Sequence, residues 1–191
     1  MNKKLKKEII EWAAILTVLA LLVSTGVGAK VASFLQRGIL QTGLMTPDIL
    51  SEDEYIDAHY GFKFSDEQGN LIHFSSLKGK TIFVNFWATW CPPCIAEMPD
   101  INELYLELKD QENIAFVILS VDSTPEKAFT FTNSQEFEMP VYFLESRLPQ
   151  VYDTHSIPTT YVISPEGKIV SERHGMAKYT SDEFKNFLKN L

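Results

Sequence analysis

Apolar residues fall into two kinds of block along this chain, and the order of the blocks predicts its architecture. From Trp12 to Ala29 runs an uncharged, mostly apolar stretch of 18 residues. That is the length a helix needs to cross a bilayer core of roughly 30 Å. From residue 58 the apolar blocks become shorter and alternate in type. Gly61-Phe-Lys-Phe64 and Leu71-Ile-His-Phe74 flank Asp66-Glu-Gln-Gly-Asn70, whose Gly and Asn suit a hairpin turn. Thr81 to Trp87 and Ile114 to Val121 are continuous apolar runs of the kind found in strands buried on both faces. Between them Met98, Ile101, Leu104, Tyr105 and Leu108 repeat at helical spacing behind Pro92, a residue suited to a first helical position. Pro99 is expected to kink this helix. Further along, Ser123-Thr-Pro-Glu126 and Thr180-Ser-Asp-Glu183 have the spacing of capping boxes at two later helix starts. Val141 to Leu144, Thr159 to Ile163 and Lys168 to Arg173 complete the strands, the last two around the turn Ser164-Pro-Glu-Gly167. Strands and helices in alternation predict an α/β fold with a sheet covered on both faces.

The charge pattern adds a direction to the amino-terminal block. Lys3, Lys4, Lys6 and Lys7 precede the apolar stretch, and basic residues stay on the cytoplasmic side. Residues 1 to 11 thus read as a cytoplasmic segment, residues 12 to 29 as a single-pass anchor in the lipid bilayer, and everything after as extracytoplasmic. A cleaved signal peptide, leaving a secreted protein, is the alternative, because Val27-Gly28-Ala29 has the small residues of a cleavage site. The length of the apolar run and Trp12 at an interfacial position favour the anchor. Residues 30 to 55 hold Gly38, Gly43, Pro47 and the acidic run Glu52-Asp53-Glu54, and read as a juxtamembrane tether to a domain spanning 56 to 191. Val31, Phe34, Leu35 and Ile39 do recur at helical spacing, so the first half of the tether could form a short amphipathic helix against the membrane.

With 191 residues, 45% of them hydrophobic, the chain suffices for one domain with a sizeable core. Its net charge is −8, and five of its 17 basic residues lie within the first 30. The remaining 12 face 23 acidic residues, a balance that excludes nucleic acid as a partner.

The chemistry is concentrated in Cys91-Pro-Pro-Cys94, which contains both cysteines of the chain. A disulfide across so short a loop gains little from loop entropy, so it breaks and reforms readily and serves exchange better than stapling. The pair follows the strand ending at Trp87, and the carboxyl ends of strands are where open α/β sheets hold their ligands. If Cys91 stands at the helix start, its sulfur faces unpaired N–H groups and the positive end of the helix dipole, which favour the thiolate. Pro92 and Pro93 have no N–H, so the amide of Cys94 is the best remaining donor. Cys91 is then the nucleophile that forms a mixed disulfide, and Cys94 the residue that resolves it. Zinc would need about four ligands. No second cysteine pair exists, and His59, His73, His155 and His174 are scattered. No bound cofactor is required.

In these features the chain resembles the thioredoxin superfamily, specifically the membrane-tethered TlpA-like thiol:disulfide oxidoreductases of bacteria that include the ResA-type proteins. The resemblance runs from about residue 58 to 191. It rests on Val84-Asn-Phe-Trp-Ala-Thr-Trp-Cys-Pro-Pro-Cys94, Glu97-Met-Pro99 and Ile157-Pro-Thr-Thr-Tyr-Val-Ile-Ser-Pro-Glu-Gly-Lys168. It implies a thioredoxin-like fold, a central mixed sheet flanked by helices, and makes Pro158 a cis-proline that faces the active-site disulfide and helps dock substrate. Ile157, Trp90, Pro92 and Pro93 would share that docking rim. Thioredoxins carry a buried aspartate six residues before the first cysteine, where this chain has Asn85, which cannot act as a base. The resemblance gives the proton to Glu97 instead. On residue type alone Glu97 reads as a solvated glutamate on a helix face.

The expected function is thiol:disulfide exchange with substrate proteins that bear thiols or disulfides, at the bacterial inner membrane with the domain in the periplasm. The family analogy leans towards a reductant, for example of cytochrome c apoproteins, fed by a membrane-embedded electron donor. A periplasmic oxidant and a non-catalytic tethered binding module are alternatives. A thiol peroxidase of the peroxiredoxin type is disfavoured, because that family sets Thr or Ser three residues before its reactive cysteine and this chain has Ala88 there.

Overall fold

Eight strands hydrogen-bond into one mixed sheet in the order β1-β8-β7-β4-β5-β6-β2-β3 in a computed structural model of the chain. The structure describes residues 3–24, 27–152 and 154–191. The strands are β1 (Ile56–Asp57), β2 (Lys63–Ser65), β3 (Leu71–His73), β4 (Thr81–Trp87), β5 (Ile114–Ser120), β6 (Val141–Leu144), β7 (Thr159–Ile163) and β8 (Lys168–His174). The helices are α1 (Lys3–Ser24), α2 (Val27–Gln41), α3 (Pro92–Leu108), α4 (Pro125–Ser134) and α5 (Asp182–Asn190).

The two all-apolar runs become the centre of the sheet. All seven residues of β4 are buried, and β4 pairs in parallel with β5 and antiparallel with β7. Because successive side chains point to opposite faces, β4 divides its residues between two cores. Phe83 and Trp87 pack with Met98, Ile101 and Leu104 of α3 and Phe184 and Leu188 of α5. Ile82, Val84 and Phe86 join a second cluster with Phe62, Phe64, Phe74, Tyr152 and Tyr161. This second face is covered by the β2–β3 hairpin, the turn Phe74–Leu77 and Tyr152 rather than by a helix, with Phe62 stacked on Phe74 at 4.3 Å. Asn85 falls on the α3 side of β4, between Phe83 and Trp87.

Helix α3 continues past Pro99 to Leu108. Two helix starts lie one residue later than the capping-box spacing suggested. Ser181 caps α5, its hydroxyl accepting from the Phe184 amide, and Thr124 precedes α4 with no side-chain cap. In each case the two neighbouring residues are a Ser and a Thr, so residue type alone does not fix which one stands at the helix start.

The amino-terminal segment differs most from expectation. The expected anchor, residues 12 to 29, falls on α1 and the first turn of α2, and residues 25 and 26 of it lie outside the described residues. Among the described residues no helix is long and apolar enough to cross a membrane. The stretch expected to be a tether is built into the domain. Leu40 of α2 is fully buried against Ala96 of α3 and Met176, and the Ser33 hydroxyl donates to the Pro92 carbonyl at 3.0 Å. Beyond α2, the Lys178 amide donates to the Met45 carbonyl, the Leu50 amide donates to Val170 of β8, and Arg173 pairs with Asp48 at 3.0 Å. Leu40→Ala should therefore lower the unfolding free energy by about 2–4 kcal/mol. Leu44→Ala, at an exposed position, should change it by no more than about 0.5 kcal/mol. Chemical denaturation checks this, and equal, small effects would mean that α2 contributes nothing to the fold.

Candidate active site

Cys91 sits where β4 gives way to α3. Ala88 accepts from the Cys91 amide at 3.2 Å, so the chain turns sharply between strand and helix. The turn is fixed from below by Asp122, a buried carboxylate two residues beyond β5. It accepts from the Thr89 amide at 3.0 Å, the Thr89 hydroxyl at 2.7 Å and the Ser120 hydroxyl at 2.9 Å.

Cys91 is the N-cap residue of α3 and is disulfide-bonded to Cys94. Its Sγ accepts from the Cys94 amide at 3.2 Å, the donor that two consecutive prolines leave in the first turn. The same sulfur lies 3.6 Å from the Ile157 carbonyl oxygen. The Ile157–Pro158 peptide is cis, as the sequence resemblance implied. Cys91 keeps a small exposed surface and Cys94 none, so an external sulfur has access to Cys91 alone. Trp90 stands beside it, 63% exposed, with Pro92, Pro93 and Ile157 half-buried and Pro158 buried beneath. These residues form an apolar rim around one reachable sulfur.

Glu97 is completely buried, not solvated. It lies one helical turn beyond Cys94 on the same side of α3. One carboxylate oxygen accepts from Asn85 Nδ2 at 2.9 Å, and the other from the Ala177 amide at 3.1 Å. Burial pushes its pKa up to about 8, against the partial opposition of those two hydrogen bonds. Asn85 Nδ2 also donates to Thr160 Oγ1 at 2.9 Å, which accepts from the Tyr179 hydroxyl at 2.7 Å. The Asn85 Oδ1 atom is buried with no partner. Asn85, Thr160, Tyr179, Ala177 and Asp122 thus complete the site. Asn85 is marked by its place six residues before Cys91, whereas the others carry no signal of their role, because each acts through a contact with another element. The Glu97 value of about 8 lies close to the ordinary thiol pKa of about 8.5.

A protein-family model described as the AhpC/TSA family matches residues 57–172. Thiol-disulfide oxidoreductase ResA of Bacillus anthracis is 33% identical over 131 residues, 68% of this chain and 74% of the relative. The chain belongs to this family of thiol-disulfide oxidoreductases. ResA of Bacillus subtilis is 34% identical over 130 residues, 67% of this chain and 72% of the relative. Among solved structures, a thioredoxin-family thiol:disulfide interchange protein from Chlorobium tepidum superposes with a TM-score of 0.55 at 25% identity, covering 76% of this chain and 95% of that one. The fold is thioredoxin-like, and the protein is a thiol-disulfide oxidoreductase.

The buried carboxyl gives the site a pH signature. In the unfolded chain Glu97 titrates near 4.5 and in the folded protein near 8. Between these values the unfolded state binds fewer protons, so the contribution of Glu97 to stability is present below about pH 4.5 and is lost as pH rises towards 8. The oxidised wild type should lose stability more steeply over that interval than Glu97→Gln. Denaturation curves taken across the range test this, and parallel pH profiles would mean that the carboxyl is not neutral in the folded protein.

Proposed function

We propose that the protein works outside the cytoplasm, held to the bacterial inner membrane through its amino-terminal segment, as a reductant of disulfides in client proteins, cytochrome c apoproteins among them. The observation that carries the direction is the environment of the Cys91 sulfur. A dithiol becomes a strong oxidant when its reduced form is stabilised, chiefly by groups that hold the thiolate. Here one amide faces Sγ, two prolines have removed other first-turn donors, and the Ile157 carbonyl oxygen presents negative charge to the same atom. Glu97, buried one helical turn beyond Cys94, adds a carboxyl to this end of α3 rather than a cation. So sparse a set of donors favours a low potential.

In the working direction the Cys91 thiolate attacks a client disulfide. A sulfur–sulfur bond forms to Cys91, the client's own bond breaks, and one client thiolate leaves and takes a proton from water. Cys94 then passes its proton to the Glu97 carboxylate and attacks Cys91 Sγ, which forms the internal disulfide and frees the second client sulfur as a thiolate that takes a proton from water. Two electrons have passed to the client. A dithiol donor, embedded in the membrane, must reduce the pair again, with Glu97 returning its proton to the departing Cys94 sulfur. Trp90, Pro92, Pro93, Ile157 and Pro158 serve as the docking rim for the client chain. Ala88, in place of the Thr or Ser of peroxiredoxins, weighs against the peroxidase reading.

Cys94→Ser should trap clients as covalent adducts on Cys91 that thiol reductants release. Undiminished non-covalent capture would instead support a binding module. Alkylation of the wild-type pair in graded thiol buffers should give a potential below about −220 mV. A value near that of a strong oxidase would reverse the proposed direction.

A further inference from the structure

Helix α2 lies outside the segment matched by the family, which begins at residue 57. It is apolar on two opposite faces. The inner face is narrow: Leu40 is buried beside Ala96, and Ser33 donates its hydroxyl to the Pro92 carbonyl in the first turn of the catalytic helix. The outer face carries Val31, Phe34, Leu35 and Ile39, which are 50%, 76%, 62% and 47% exposed. At 100° per residue these four occupy one continuous arc opposite Leu40. Four large apolar side chains on one helix face are more than the fold itself needs, and such a patch marks an interaction surface.

The preceding helix identifies what covers it. In α1 the charged residues end at Glu11, and beyond it the exposed residues Trp12, Ala13, Ala14, Ile15, Leu16 and Val18 lie all round the axis rather than along one stripe. A helix that is apolar all round suits an apolar medium, not a single protein groove. Two residues separate α1 from α2, so their facing ends lie within at most about 10 Å of each other. Helix α2 therefore begins where α1 leaves that medium. Its flanks carry Gln36, Arg37 and Gln41, the arrangement of a helix that lies in the plane of a membrane interface.

We propose that α2 is a membrane-docking helix. Its outer face lies in the boundary between headgroups and acyl chains, while its inner face grips the first turn of α3 and holds the Cys91–Cys94 pair one helix layer above the bilayer. The distance between packed helix axes, about 8–10 Å, sets that height. The enzyme is thereby directed to disulfides and dithiols presented at the membrane surface. This rests on the reading of α1 as embedded in the bilayer, and the test separates the two.

The full chain would be reconstituted in vesicles of phosphatidylethanolamine and phosphatidylglycerol with the photo-crosslinker benzoylphenylalanine replacing Phe34, Leu16 or Leu71, the last on β3 at the far edge of the sheet. Lipid adducts are expected at 34 and 16 and not at 71. Adducts at 16 without 34 overturn the inference and leave the anchor standing. Adducts at neither position overturn both. Crosslinking from 34 to a second copy of the chain assigns the face to a dimer and overturns it as well. In a second measurement, the double variant Phe34→Ser, Leu35→Ser should slow reduction of a disulfide peptide tethered to the vesicle by about tenfold or more. Reduction of the same peptide free in solution should be unchanged. Equal slowing of both would reveal a structural defect and overturn the docking role.

Discussion

The contact between Asn85 of β4 and Glu97 of α3 is the one on which the rest of this structure depends. It crosses from the centre of the sheet to the catalytic helix, and it places an ionisable carboxyl where water cannot reach it. Burying such a group is costly unless it is hydrogen-bonded or neutral. The protein uses both remedies, two donors and a raised pKa. The side chain that fastens α3 to the sheet therefore also holds a titratable proton, one helical turn from Cys94. An aspartate at position 85 would set two carboxyls within hydrogen-bonding distance, whereas the amide leaves a single titrating site. The residue that departs from the thioredoxin pattern and the carboxyl proposed to carry the proton are partners in one hydrogen bond.

What the sequence disclosed follows the range of the interactions. The apolar runs that became β4 and β5 were legible because burial on both faces leaves an uninterrupted signature. The cap at Cys91 and its bond from the Cys94 amide could be read because both lie within one turn, and proline's missing N–H narrows the choice of donor. Glu97 was ambiguous for the opposite reason. Its burial depends on Ala177 and Asn85, which are 80 and 12 residues away, and nothing in helical spacing reports them.

The segment from 30 to 55 illustrates a second kind of opacity. Its visible periodicity, Val31, Phe34, Leu35 and Ile39, marks the face that points away from the protein. The face that docks consists of little more than a serine hydroxyl and one leucine, too few for any pattern. The second face of the sheet, closed without a helix, is a similar case. Alternating elements imply helices on both sides, but Phe62, Phe64, Phe74 and Tyr152 supply enough aromatic surface to close the core without one.

Asp122 separates the frame of the site from its reacting atoms. With three hydrogen bonds gripping Thr89 and Ser120, the loop before Cys91 is clamped to the end of β5 independently of the bond between the sulfurs. Opening the disulfide removes none of these hydrogen bonds. The frame that presents Cys91 is thus held by contacts other than the bond that the reaction makes and breaks.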